Sequence, residues 1–94
     1  MTIKQETAEA IGLQCLAWLV GNEDLLPVFM GATGVSEQDI KERAQEPEFL
    51  ASVLEFLMMD DAWIVAFCNA QELPNDMPMR ARAALPGGMQ MDWT

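Results

Sequence analysis

Asp60 and Asp61 stand side by side inside "LEFLMMDDAWIVAF", between two apolar blocks and with Cys68 just beyond. Paired carboxylates invite a metal-site reading. A hard cation, however, needs several oxygens converging on it, and adjacent side chains at a helix start diverge. The pair reads better as helix punctuation. Asp60 is expected to cap a helix, because its side-chain oxygen can accept from a free N–H of the first turn. Asp61 then favours the positive end of the same helix.

Other reactive residue types are sparse. The chain has no His, so a Ser or Cys triad lacks its usual base. Cys15 and Cys68 are isolated, have no basic neighbour in sequence and form no CxxC pair. They read as buried free thiols of a reducing cytoplasm, although a Cys15–Cys68 disulfide stays open. "GATG" at Gly31 to Gly34 echoes a phosphate loop but reads better as a helix end. No catalytic, cofactor or metal site is proposed from these residues, and a non-enzymatic protein is expected.

Charge narrows the partners. Fifteen acids against five bases give a formal net charge of −10. Such a field repels phosphate backbones and anionic membranes and favours solubility or basic partners. Apolar residues make up 51% of the chain and charged ones 21%, a globular composition. The segment "MTIKQETAEAIGLQCLAWLVG" carries Glu6 and Glu9 and a polar Gln14, so it reads as a buried helix and not a signal peptide. No apolar run reaches membrane-span length.

The elements that position these residues follow from spacing. Ala8, Ile11, Cys15, Trp18 and Leu19 form a stripe at helical intervals over roughly Thr7 to Val20. Leu13, Leu16 and Val20 widen it, so this helix is expected to be central and covered on nearly all sides. Asn22 or Asp24 is expected to cap a second helix, with Pro27 in its first turn and Gly34 as a left-handed stop. Ser36 starts a third helix, with Asp39 as the reciprocal acid of a capping box and Val35 and Ile40 as a hydrophobic staple. Pro47 opens a fourth, whose stripe is Phe49, Leu50, Val53, Leu54 and Leu57. The fifth runs from Asp61 to about Gln71, with Met59 and Ile64 as its staple and Trp63, Ile64 and Phe67 facing inward. Asn75 is expected to cap a short sixth helix that contains Pro78 and ends at "LPGG". No segment alternates as a half-buried strand does. The expectation is one all-α domain, a compact bundle of about six helices over residues 1–88, with a tail at 89–94.

A repeat lies within this pattern. Shifted by 38 positions, "LAWLVGNEDLLPVF" from Leu16 overlies "LEFLMMDDAWIVAF" from Leu54. With a shift of 39, Ser36 meets Asn75, Lys41 meets Arg80, Arg43 meets Arg82 and Pro47 meets Pro86. Two three-helix units around one core would produce this. The matched cations lie near helix C-termini, where the dipole stabilises them by up to ~1 kcal/mol. They are also candidate partner contacts: Lys41, Arg43, Arg80 and Arg82, joined by Met89, Met91 and Trp93 of the apolar tail.

"FMGATGVSEQDIKERA" has the shape of helix-turn-helix, but its second helix carries Glu37, Asp39, Glu42 and Glu46 against Lys41 and Arg43. "LAWLVGNEDLLPVFMGATG", "EFLASVLEFLMMDD", "RARAALPGG" and Trp93 together resemble a bacterial family of short helical proteins known only as a domain of unknown function. The resemblance spans nearly the whole chain and brings no catalytic residues with it. It implies a regulatory protein as partner, since genes of this kind lie near single-domain response regulators. The leading expectation is a cytoplasmic, non-enzymatic interaction or adaptor domain, monomeric or homodimeric. A helix-turn-helix nucleic-acid-binding regulator and an enzyme without a recognised motif are the alternatives.

Overall fold

The computed structural model describes residues 3–86. Among them the chain forms six helices and no strand: α1 (Gln5–Val20), α2 (Leu26–Thr33), α3 (Glu37–Arg43), α4 (Pro47–Leu57), α5 (Asp61–Gln71) and α6 (Met77–Ala84). The all-α expectation holds.

Three helices make the centre. α1 packs on α4 and α6, and α4 packs on α6. α4 is the most deeply placed, with Phe49, Leu50, Ala51, Val53, Leu54, Phe56 and Leu57 all buried. α1 contributes Ala8, Ile11, Cys15, Leu16 and Leu19 to the same core. Gly12 lets α1 approach α4. A Cβ at position 12 would stand 2.9 Å from the Cβ of Leu50, closer than real Cβ contacts come.

Aromatic rings tie the outer helices to this centre. Phe29 of α2 meets Phe49 and Phe56 of α4 edge-on, at centroid distances of 6.4 and 5.2 Å. Trp63 of α5 stacks on Phe56 at 4.8 Å, and Phe67 meets Trp18 of α1 edge-on at 5.7 Å. Such pairs add ~1 kcal/mol each beyond the area they bury.

Caps set the helix ends largely as the sequence predicts. The Ser36 hydroxyl accepts from the Asp39 N–H, and the Asp39 carboxylate accepts from the Ser36 N–H, a complete capping box. Gly34 closes α2 at φ 77°, a left-handed conformation that glycine adopts without strain. Asp60 caps α5 by accepting from the Ala62 N–H at 2.8 Å. Pro47 is the first residue of α4.

Four local expectations are overturned. Neither Asn22 nor Asp24 caps α2: its N-cap is Leu25, without a side-chain hydrogen bond, and the Asn22 side chain instead accepts from the Asp24 and Leu25 N–H groups in the turn before the helix. Met59 is 72% exposed, so it makes no staple with Ile64. Asn75 does not cap α6: the N-cap residue is Asp76, without a side-chain hydrogen bond, and the entry turn is closed by the Met77 N–H donating to the Pro74 carbonyl. α1 is not covered all round, because Leu13 and Val20 reach solvent. Its partners α4 and α6 lie on the side of Ala8, Cys15 and Leu19, and Leu13 and Val20 point the other way.

The two halves agree at their joints and differ in their packing. At both joints the N–H of the matched residue donates back three residues, Asn22 to Leu19 and Asp60 to Leu57. The Asn22 carbonyl then accepts from Leu25 and Leu26, and the Asp60 carbonyl from the aligned Trp63 and Ile64. Each side chain also accepts from the N–H two residues on, that of Asp24 or Ala62. By contrast α6 packs on α1 and α4, whereas α3 has no comparable helix contact.

Candidate functional site

The outward side of α1 departs from an ordinary solvent-facing helix. From Ala10 to Asn22 no residue is charged. At 3.6 residues per turn, Ala10, Leu13, Ala17 and Val20 fall on one stripe. All four are exposed, Leu13 at 45% and Val20 at 47%. The stripe lies opposite the buried Ala8, Ile11, Cys15 and Leu19, so no part of it belongs to the core. It runs about 15 Å along the axis at 1.5 Å per residue.

A depression borders each end. At the C-terminal end of α1, one of about 240 Å³ is lined by Val20, Leu26, Ile40, Glu37 and Lys41. Towards the N-terminal end, one of about 310 Å³ is lined by Glu6, Glu9, Ala10, Leu13 and Leu50 among others. The ends therefore differ in charge. Two acids stand at one, and Lys41 with Glu37 at the other. α3 carries Lys41 to that place because the Ser36–Asp39 box starts the helix with Ile40 turned into the core and Lys41 beside it in solvent.

The four candidate cations stand in different surroundings. Arg43 donates to Glu46 at 3.0 Å and lies over the Phe49 ring, its guanidinium carbon 5.0 Å from the centroid. Arg80 stands 4.0 Å from Asp76 on its own helix. Arg82 is 8% exposed and donates to Glu55, joining α6 to α4, so little of it faces outward. Lys41 is exposed and, among the described residues, forms no ion pair. Met89, Met91 and Trp93 lie outside the described residues.

The chemistry available elsewhere is modest. Asp60 spends an oxygen on its cap, and Asp61 is exposed beside it. Cys15 and Cys68 are free and buried. Burial pushes the Cys15 thiol up to about 12, with the nearby Cys68 adding to it. Cys68 is raised as well, by burial first and then by Asp76. A thiol held protonated is a poor nucleophile. A third depression, of about 460 Å³, lies between the end of α2 and α4, with Ser52, Glu55, Phe56 and Met59 in its wall.

Leu13 and Val20 are the surface residues that sequence reasoning missed, since it assigned them to a covered helix. The signal was present. Taking Ala8, Ile11, Cys15 and Leu19 as the inward stripe puts Ala10, Leu13, Ala17 and Val20 opposite it.

The fold and this face define a small all-helical domain with an uncharged helix side turned to solvent. The chain belongs to the DUF3572 family of proteins of unknown function, whose model matches residues 5–88. No curated protein and no solved structure matches it. No helix among the described residues is long and apolar enough to cross a membrane.

Proposed function

We propose that this protein is a non-enzymatic protein-interaction or adaptor domain of the bacterial cytoplasm, docking through the outward side of α1 and the depressions beside it. The observation that carries the reading is the exposure of Leu13 and Val20 on a helix side without charge. Protein interfaces are distinguished by loss of charge at their centre and a polar rim. Ala10, Leu13, Ala17 and Val20 supply the centre, and Glu6, Glu9, Glu37 and Lys41 the rim. Lys41 is the candidate cation best placed to contact a partner, and the resemblance noted above favours a regulatory protein in that role.

The test is a photo-crosslinking residue placed at Val20 in the native cell, with Met79 of α6, exposed beside the charged Arg80, as the control position. A discrete crosslinked product at Val20 and none at Met79 is expected. Equal labelling at both positions, or at neither, would sink the reading.

The α2–Gly34–α3 pair keeps nucleic-acid binding as the second reading, because a helix pair with a left-handed glycine between its members is present. Glu37 and Glu42 on the exposed side of α3 oppose it, since phosphate contacts supply most of the affinity of such proteins. A duplex titration at low salt separates the two. Salt-sensitive binding lost on Lys41→Glu would favour the second reading.

A further inference from the structure

We infer that the occupant of the outward α1 face is a second copy of this chain, packed α1 against α1, antiparallel and two-fold symmetric. This rests on the docking-surface reading above and specifies the partner.

The first support is volume. In a two-fold antiparallel pair centred near Cys15, Leu13 faces the partner's Ala17, and Ala10 faces the partner's Val20. Symmetry repeats both contacts. A large side chain thus meets a small one at every level, the arrangement that lets helices interdigitate closely. A two-fold interface must be complementary to itself, and this stripe is.

The second support is charge, and it is independent of volume. Glu6 and Glu9 stand at one end of the stripe and Lys41 beside the other. Antiparallel pairing brings each Lys41 to the acidic end of the other copy, twice per dimer. Parallel pairing would set Glu6 and Glu9 against their own copies. Glu37, one turn before Lys41, lines the same wall without pairing with it and offsets part of this attraction. The net charge of −10 on each chain opposes association over longer range, but at physiological salt that repulsion is screened beyond ~8 Å. A single helix pair with its flanks makes a small interface, so a weak, transient dimer is expected.

Sedimentation equilibrium of the full chain tests this, with circular dichroism melts to establish that each variant folds. The wild-type chain should dimerise, and Leu13→Glu should abolish the dimer. Lys41→Glu alone, or Glu6→Lys with Glu9→Lys, should weaken it at least tenfold, since each places like charges at both ends. Mixing those two variants should restore association to near the wild-type level, because every cross-copy pair is then opposite in sign. Weakening by each variant alone, with the mixture returning only to the wild-type level, marks the antiparallel arrangement; in a parallel pair the wild type already sets like charges together, so neither variant would weaken it and the mixture would associate more tightly than the wild type. A wild-type chain that stays monomeric at millimolar concentration overturns the inference, as does a mixture that shows no rescue. If a monomer dimerises only after removal of residues 87–94, the tail is the occupant and the second copy is not. A crosslink from Val20 to a different protein, with a monomeric chain, leaves the docking surface standing and removes the dimer.

Discussion

Glu55 on α4 accepts from Arg82 on α6, an ion pair between two of the three helices that form the centre of the fold. Its partners are unequally buried: the side chain of Arg82 is 10% exposed and that of Glu55 50%. Removing one member of such a pair leaves the other partly desolvated. Arg82→Ala removes a buried side chain with its packing and its bond to α4 and is expected to destabilise the protein by about 2 kcal/mol, whereas Glu55→Gln keeps an oxygen that accepts from the buried guanidinium and loses only a charge that water screens, an expected cost of less than ~1 kcal/mol. Urea denaturation of both variants measures this. Equal losses would mean that the charge of Glu55 is needed to keep Arg82 buried.

Asp60 and Asp61 are adjacent and should behave differently. Asp60→Ala removes the acceptor for the Ala62 N–H and is expected to cost about 1 kcal/mol. Asp61→Ala removes only a charge near the helix dipole, worth about 0.5 kcal/mol. Thermal melts of the two variants, compared at one salt concentration, give the ranking. Adding a divalent cation should leave both melts unchanged, and a cation-dependent rise lost in both variants would revive the metal reading.

Two helix ends adopt left-handed backbone, one with glycine and one without. Gly34 closes α2 at φ 77° and Glu72 closes α5 at φ 58°. Gly34→Ala is expected to destabilise by about 1 kcal/mol, and Glu72→Gly to stabilise by a somewhat smaller amount. Opposite shifts in Tm are the signature, and shifts of the same sign would refute it.

Close helix approach at Gly12 predicts a larger effect. Gly12→Ala places a methyl group against Leu50 Cβ, with two helix backbones behind the clash. Overpacking of that kind costs about 1–3 kcal/mol, against an expected gain of ~1 kcal/mol from helix propensity. A net loss of stability is expected in chemical denaturation. A net gain would mean that α1 and α4 separate without penalty.

Alkaline pH should unfold the protein through Cys15. Its folded-state thiol is raised from 9.0 to about 12, mainly by burial, so the unfolded chain loses its proton first. The unfolded state then binds fewer protons than the folded one between those values, and stability falls as pH rises from about 9 towards 12. Below pH 9 this contribution is fully present. Cys15→Ala should flatten the alkaline limb of the stability profile, measured by urea midpoints from pH 7 to 11, although it lowers the plateau by opening a small cavity. In the native protein both thiols should resist alkylation at pH 8, and rapid labelling would show that the core opens there.

Local chemistry determined much of this protein in the sequence itself. Helix punctuation needs only neighbouring residues, so the Ser36–Asp39 box, the Asp60 cap, the Gly34 stop and the Pro47 start were all legible, as was the α4 stripe. Periodicity likewise identified Ala8, Ile11, Cys15 and Leu19 as inward residues of α1. What it could not determine is how much of a helix its neighbours cover, since that depends on how many helices arrive and from which side. α4 and α6 pack on one side of α1, leaving Leu13 and Val20 in solvent although their apolar type fits a core. The same limit applied to the matched cations. Sequence spacing paired Arg43 with Arg82, but the first lies over Phe49 beside Glu46 and the second is buried against Glu55. Side-chain type and interval set each helix and its caps, while burial and ion pairing depend on contacts between residues distant in the chain, and those exist only once the helices have packed.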